Sequence, residues 1–314
     1  MANPRFFQRL AVLAKLETTY NTDPVPTAAA NGILLTNVTL KPMQGKRVER
    51  QLIRPFMGSD PALVGGLYMS LSGSVELQTS GAAGTAPKWG VLARACGLSE
   101  TIVAATSVTY APISSSYESA TVYFYMDGTL YKMSGVRGTA KAKLNAIDVP
   151  SIDFDLTGLF QIATDTANVN PTLTGFIDPV LSDSVNTPTT TINAVNVVMR
   201  SFELDLGLKV VPRFLMGRDE ITITNRAPKI STQFETLPIA TFDPFTLAKN
   251  RTSIAVNVVH GITAGKIVTL NAPTAQVEMQ ESFQVQDEIY ESPLNITPLP
   301  SGANGNNEFS IALT

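Results

Sequence analysis

GTAKAKLNAIDVPSIDFDLTGL (138–159) is the stretch that decides the fold of this 314-residue chain. Its side chains alternate between apolar and polar, which is the period of a β-strand, and a short polar break separates two such runs. A diverged copy, PTAQVEMQESFQVQDEIYESPLNIT (273–297), repeats this pattern. In both copies the second strand carries carboxylates beside apolar residues, and neither resembles an active site. We therefore predict a mainly β structural protein, built from a duplicated module, that assembles with itself.

The composition favours a folded chain whose surface is partly covered by partners. Hydrophobic residues make up 44% of the chain, whereas charged residues make up only 16%, against the usual quarter. The net charge of −3 argues against a surface built to grip phosphates. Cys96 is the only cysteine, which excludes an intrachain disulfide and a cysteine zinc site. The context of Cys96 predicts a small buried side chain.

The N-terminal residues do not have the pattern of a signal peptide, and no stretch approaches the length of a membrane span. The expectation is a soluble protein made in the cytoplasm, with no membrane contact. Phe6, Phe7, Leu10, Leu13 and Leu16 are spaced as in a short amphipathic helix. The polar, proline-containing residues that follow predict an extended arm. Two interpretations stay open: a frayed terminus, or an arm that orders against a neighbouring subunit.

The predicted domain organisation has four parts. Residues 1–32 form the arm, residues 33–162 the first module, residues 163–192 a connecting segment and residues 193–314 the second module. The connection is rich in Thr, Asn, Asp and Pro, and part of it could add an edge strand. Each module is predicted to be a β-sandwich or barrel flanked by a short helix.

Within the first module the local signals are specific. Residues 33–41 and 67–79 predict strands, and residues 87–98 predict a helix that begins at a proline and ends near a glycine. Asp127-Gly128 stands between two β-prone runs, which is the strongest short-range signal for a hairpin.

Five segments of the first half recur in the second half in the same order, as expected for a duplication. The displacement falls from about 164 to 135 residues, as expected if the first copy has longer loops. The matched segments are 32–41 with 194–206, 48–52 with 211–215, 72–79 with 230–237, 89–95 with 245–250, and 139–144 with 274–279.

Candidate catalytic and metal-binding residues are few. His260 is the only histidine and lies at the end of a strand, which favours a structural role and excludes a multi-histidine metal site. No phosphate-binding glycine motif is present, so no cofactor is predicted. The carboxylates near the two copies predict either a solvated face or an acidic wall facing a channel, which would repel a polyanion. The lumen-facing candidates are Asp148, Asp153, Asp155, Glu278, Glu281 and Asp287.

Several stretches are similar to the major tail tube proteins of long-tailed, siphovirus-type bacteriophages. They are ETTYNTDPVPTAAANGILLTNVTLKP (17–42), LYMSLSGSVELQT (67–79) with APKWGVLARACGL (86–98), and ATVYFYMDGTLYKMSGVRGTAKAKL (120–144) with IDFDLTGLF (152–160). The resemblance implies β-sandwich or barrel modules whose inner sheets close into a ring around a channel that conducts DNA without binding it specifically. For a doubled chain it implies a trimer with pseudo-sixfold symmetry, stacked into a tube.

The resemblance also implies a location in the virion tail, and tape-measure and tail-terminator proteins as partners. By position, the loops that bridge successive rings correspond to residues 45–66 and 209–229. The candidates for inter-ring contacts are Arg47, Arg50, Arg54, Arg213 and Arg218. The alternatives are a capsid-decorating or pilus-like β-sandwich and a carbohydrate-binding β-protein. The last would use the carboxylates of residues 148–155.

Overall fold

The computed structural model describes residues 5, 6 and 8–314, and the chain is mainly β. The first half contains β1 (Leu10–Leu16), β2 (Gly32–Ile33), β3 (Thr36–Val48), β4 (Leu63–Glu76), β5 (Leu98–Val103), β6 (Ser107–Pro112), β7 (Ala120–Met126), β8 (Thr129–Asn145) and β9 (Ser151–Phe160). The second half contains β10 (Thr164–Asp165), β11 (Thr189–Ile192), β12 (Val195–Asn196), β13 (Met199–Asp205), β14 (Leu208–Leu215), β15 (Arg218–Arg226), β16 (Lys229–Glu235), β17 (Ser253–His260), β18 (Val268–Val277), β19 (Gln284–Gln286), β20 (Ile289–Pro298) and β21 (Ser310–Leu313). Three short helices complete the fold: α1 (Ala28–Asn31), α2 (Gly90–Ala95) and α3 (Pro244–Asn250).

The two halves of the chain pair their strands in the same order. In the first half the antiparallel order is β3–β4–β9–β8–β7–β1–β2. In the second half it is β13–β16–β20–β18–β17–β11–β12, again antiparallel throughout. Along the chain, α2 lies between β4 and β7, and α3 lies between the equivalent strands β16 and β17.

The pairing registers of the two halves also agree. One extra residue bulges from β8 opposite Ala120–Val122, and one bulges from β18 opposite Ile254–Val256. After each bulge the pairing resumes at Val136 of β8 and at Ala275 of β18. Two residues further along each strand, four directly paired residues form a row across the sheet. The row is Gly138, Leu156, Leu71 and Leu40 in the first half, and Val277, Ile296, Ile230 and Leu204 in the second. Gly138 therefore corresponds to Val277, and Leu40 to Leu204.

A pairing between β8 and β13 joins the halves into one continuous sheet. Lys141–Asn145 of β8 lies antiparallel to Ser201–Asp205 of β13. We call this pairing the seam, and the strands β3–β4–β9–β8–β13–β16–β20–β18 the shared sheet. One face of the shared sheet is the core face, where Phe154, Phe202 and Ile230 are buried. The other face is polar and half-exposed.

Each helix packs beside this core for identifiable reasons. Trp89, directly before α2, is buried against the ring of Tyr110, and its indole Nε1 donates a hydrogen bond to the carbonyl oxygen of Gln78 (2.7 Å). Asp243 caps α3, because its carboxylate accepts hydrogen bonds from the backbone N–H groups of Phe245 and Thr246 (3.0 Å each). Asp243 and Pro244 are residues expected at a helix N-terminus, whereas α2 starts after Trp89 without a side-chain cap. The sequence predicted a short helix in each module.

The predicted N-terminal helix is wrong where the structure describes it. Leu10–Leu16 is a strand that pairs along its length with β7, and Leu13 and Ala14 are buried. Phe7 lies outside the described residues. The segment that follows β1 packs on its own chain: Glu17 accepts hydrogen bonds from the hydroxyls of Ser119 (2.6 Å) and Thr121 (2.7 Å). The apolar residues at the start of this segment, 10–14, therefore form part of a strand between β7 and β2, against the helical spacing.

The other local predictions agree with the structure. Asp127 and Gly128 form the tight turn between β7 and β8, with φ of 40° and 90°, the left-handed conformation that such a hairpin requires. Residues 98–112 form the β5–β6 hairpin. The connecting segment supplies β10, which pairs with β8, and β11, which pairs with β17.

The strand directions give the shared sheet two different ends. β3 and β4 meet at one end through residues 49–62, and the β14–β15 hairpin lies at the same end. We call this the arm end, with residues 45–66 as the long arm and residues 208–226 as the short arm. The β8–β9 turn (146–150) and the β19–β20 hairpin (284–291) lie at the opposite end, which we call the turn end.

Candidate assembly surfaces

The polar face of the shared sheet carries charges of both signs. Because side chains alternate along a strand, every second residue of each strand points to this face. The charged members include Lys41, Glu76, Lys141, Lys143, Asp153, Asp155, Glu203, Asp205, Lys229, Glu235 and Glu278. Four of these are cations and seven are anions, so the set has a slight negative excess.

Two lysines of β8 tie the polar side of the seam together. The Nζ of Lys143 lies 2.7 Å from a carboxylate oxygen of Asp153 on β9 and 3.8 Å from one of Glu203 on β13. The Nζ of Lys141 lies 2.8 Å from a carboxylate oxygen of Asp205 and 3.4 Å from one of Glu203. The lysines therefore cross-link three adjacent strands.

These contacts shift the pKa values of Lys141, Lys143 and Asp153 towards the charged forms. The hydrogen bond to Asp205 raises the pKa of Lys141, and the hydrogen bond to Asp153 raises the pKa of Lys143. Partial burial by itself would raise the pKa of Asp153, but the hydrogen bonds from Lys143 and Ser74 outweigh it and lower that pKa. Both members of the Lys143–Asp153 pair are therefore charged at neutral pH.

The predicted lumen-facing carboxylates separate into two groups. Asp153 and Asp155 lie on the polar face, and Glu278 lies at its β18 margin, 3.3 Å from the Nζ of Lys229. The remaining three are at the turn end: Asp148 in the β8–β9 turn, Glu281 between β18 and β19, and Asp287 in the β19–β20 turn. The structure thus does not bring all six together on one surface.

The five arginines predicted to make inter-ring contacts all lie on the two arms. Arg47 and Arg50 are exposed on the long arm, and Arg54 binds Asp60 of the same arm (2.6 Å). Arg213 is exposed on the short arm, and Arg218 binds Glu220 beside it. In the described part of the chain, no carboxylate outside its own arm forms a salt bridge with any of the five.

The arms also expose large apolar side chains. Ile53 and Met57 of the long arm and Met216 of the short arm are fully exposed. Phe56 and Leu63 of the long arm are mostly exposed as well. Several large apolar side chains exposed on the same arms are typical of an interaction site.

Both margins of the shared sheet end in strand edges that lack partners. β3 pairs with β4 on one side, and its other side has no strand against it among residues 5, 6 and 8–314. At the other margin β17 covers β18 only as far as Gln276. Residues 278–283 continue beyond it with no strand on that side in the described part of the chain, whereas on the other side the N–H of Glu278 donates to the carbonyl oxygen of Asn295 (2.8 Å). Unpaired edges of this length are templates for pairing with another chain.

The isolated reactive groups are buried in structural positions. His260 is buried, its Nδ1 lies 3.1 Å from the hydroxyl of Thr187, and burial lowers its pKa. Cys96 is fully buried, and this burial raises the pKa of its thiol strongly. Within the described ranges no three His, Cys, Asp or Glu side chains are arranged to hold a metal ion, and no helix is long and apolar enough to cross a membrane.

The carbohydrate-binding alternative gains nothing from the geometry of residues 148–155. Asp153 is engaged by Lys143 and Ser74, and Asp148 points away in the turn. The single tryptophan, Trp89, is buried in the core and cannot present a ring to a sugar.

Sequence reasoning missed the seam, which is the contact that organises both halves. Its signal was present in the alternating lysines of AKAKLN (140–145) and the alternating acids of FELD (202–205). Two strands with opposite charges at the same spacing are expected to pair.

A sheet with two open edges, one polar face and two arms with exposed apolar side chains is typical of a structural protein that associates with other chains. A search of curated proteins finds no match to the sequence. The profile of the family described as "Phage tail tube protein" matches residues 8–303. The chain therefore belongs to the phage tail tube protein family, and it is a structural subunit of a virion tail that self-assembles into a tube.

Proposed function

We propose that the chain consists of two tandem tube modules, residues 33–162 and 193–314, joined by residues 163–192. Three chains form a ring with pseudo-sixfold symmetry, and rings stack into the tube of a siphovirus-type tail whose channel conducts DNA. The recurrence of strand order, bulge position and register in the two halves supports this proposal. The seam is the observation on which the proposal rests. It is a contact between two equivalent modules within one chain, and in a ring the same contact would be repeated between the second module of one chain and the first module of the next.

The seam predicts the register of ring closure. In the register where Gly138 corresponds to Val277, Lys143 corresponds to Ser282. In the register where Leu40 corresponds to Leu204, Glu203 corresponds to Thr39. The seam pairing of Lys143 with Glu203 therefore predicts that Ser282 of one chain pairs with Thr39 of the next. The same transfer places Phe283 opposite Val38. Residues 278–284 would thus extend β18 along the free edge of β3, and no strand edge within the ring would stay unpaired.

The side chains at these two edges suit such a contact. Val38 and Leu40 are only partly buried against the core, and Phe283 of the other edge is about half exposed. Pairing the edges would remove this apolar surface from water, which contributes roughly 25 cal/mol for each Å² buried. In the seam the equivalent residues, Leu144 and Phe202, are already buried.

The polar face of the shared sheet would line the channel. Asp153, Asp155 and Glu278 are then lumen-facing, among lysines that are paired with carboxylates. A wall with a slight negative excess and no free cluster of cations gives DNA phosphates no strong binding site. DNA would therefore pass without specific binding. Tape-measure and tail-terminator proteins are the expected partners inside the tube and at its end.

A cysteine cross-link tests ring closure directly. In the variant Thr39→Cys/Ser282→Cys, a short bis-maleimide added to assembled protein is expected to link each chain to its neighbours. Denaturing gels should then show dimers and trimers, with the trimer as the largest species. Cys96 does not interfere, because it is fully buried.

A matched control uses the equivalent seam residues. Lys143→Cys/Glu203→Cys should cross-link within one chain, so that its denatured mass stays that of a monomer. Electron micrographs of the unmodified protein should show open rings or tubes with threefold features in end views. Monomers at all concentrations, or Thr39→Cys/Ser282→Cys chains that never link, would refute the proposed ring and favour the capsid-decorating or pilus-like alternative.

A further inference from the structure

The long arm and the β19–β20 hairpin project from opposite ends of the same sheet. β3 runs towards the arm end and returns as β4, whereas β18 runs towards the turn end and returns as β20. In a stack of rings with a common direction, the arm end of one ring faces the turn end of the next.

The long arm combines cations with exposed apolar side chains. Lys46, Arg47 and Arg50 are exposed on it, and among residues 5, 6 and 8–314 no carboxylate of another element forms a salt bridge with them. Arg47 is 68% exposed and lies 3.8 Å from Glu49. Ile53 and Met57 are fully exposed beside them.

The β19–β20 hairpin has the complementary composition. Phe283 and Tyr290 flank it with exposed rings 6.3 Å apart, and Phe245 of α3 stacks edge-on against Phe283 at 6.4 Å. Its turn residues are Asp287 and Glu288, both exposed. The nearest cation to Asp287 is Arg200, at 3.9 Å, and the guanidinium of Arg200 is already bound to Glu291.

We propose that the long arm of one chain docks on the β19–β20 hairpin of a chain in the next ring. Arg47 and Arg50 would face Asp287 and Glu288. The apolar tip of the arm would cover the exposed rings of Phe245 and Tyr290, which remain available after ring closure has buried Phe283. The partner is a second copy of this chain, because the two surfaces are complementary in both charge and apolar character. This inference rests on the proposed ring and adds the surface on which rings stack and its polarity.

Charge reversal at either surface separates stacking from ring formation. The arm variant is Arg47→Glu/Arg50→Glu, and the turn variant is Asp287→Lys/Glu288→Lys. Each is expected to form single rings of normal mass and to lose tubes, because each brings like charges together between rings. The control Lys88→Glu reverses a charge in the same direction at an exposed lysine that belongs to neither surface, and it should form tubes.

Mixing the two variants gives the decisive result. The reversed arm end of one variant then meets the reversed turn end of the other, and the native ends meet each other, so tubes of alternating rings are expected. The inference is overturned if either variant forms tubes alone, or if the mixture forms only rings. If the unmodified protein forms neither rings nor tubes, the proposed function fails, whatever the variants do.

Discussion

Replacing Phe202 with alanine tests which face of the seam holds the two halves together. Phe202 is 2% exposed, pairs with Leu144 across the seam and with Thr232 on its other side, and belongs to the continuous core. Truncating a buried phenylalanine to alanine costs about 3–5 kcal/mol, from lost apolar burial and the cavity that remains. That is a large fraction of the 5–15 kcal/mol by which a typical domain is stable.

The polar side of the seam is expected to contribute less. Lys143→Ala removes contacts with Asp153 and Glu203 whose side chains are about one-third exposed. Exposed ion pairs of this kind contribute about 0.2–1 kcal/mol each. Phe202→Ala should therefore lower the free energy of unfolding several times more than Lys143→Ala does.

Urea unfolding of the unassembled chain, followed by the fluorescence of the buried Trp89, measures both effects. Phe202→Leu is the control for a smaller change of shape and should cost less than Phe202→Ala. If Lys143→Ala destabilises the chain as much as Phe202→Ala, the lysine contacts hold the seam, and the reasoning from apolar burial is wrong.

Three further predictions concern the buried and charged groups. Burial lowers the pKa of His260 in the folded protein. The neutral imidazole therefore contributes fully to stability above the unfolded pKa of about 6.5, and this contribution is lost as the pH falls through the folded pKa. His260→Gln should remove that acid-dependent fall in melting temperature. Lys143→Glu places a third carboxylate beside those of Asp153 and Glu203. It should therefore lower the melting temperature more at low salt than at high salt, because salt screens the repulsion between them. Arg226→Met should cost about 3–5 kcal/mol in urea unfolding, since it leaves the buried Glu308 unpaired, and Arg226→Met/Glu308→Leu should recover most of that loss.

Local signals predicted the elements whose causes are local. The turn at Asp127-Gly128, the helix α2 and the alternating strands β8 and β9 depend on residues close in sequence, and the structure contains each of them. Leu10–Leu16 failed because a short apolar run fits a buried strand as well as a helix, and only its pairing with β7 decides between them.

The internal matches show where a sequence pattern stops being specific. The match of residues 32–41 with the segment that contains Leu204 has the displacement that the paired registers give. The match of residues 139–144 with 274–279 is four residues away from the register in which Gly138 corresponds to Val277. Because strands repeat every two residues, a shift by four preserves the whole alternating pattern. Only the bulges and cross-strand partners fix the register.

The sequence predicted which residues lie on the candidate surfaces only in part, because sequence position and charge do not give strand direction or pairing. Sequence position placed Arg47 and Arg213 on loops, and both lie on arms. Charge alone could not separate Asp153, which faces a lysine on the sheet, from Asp287, which occupies a turn at its end. That distinction depends on strand direction and pairing, which are properties of the whole fold.

The unequal lengths of the two arms have a consequence for the geometry of a long tube. A ring of three such chains presents long and short arms alternately, so turning it by one-sixth of a revolution does not reproduce the same surface. In that position the long arm would meet the β8–β9 turn at 146–150, which offers Ile147 and Asp148 but no aromatic cluster. Each ring would therefore inherit the angular phase of the ring below it. Errors of one-sixth of a turn could not accumulate along the tail.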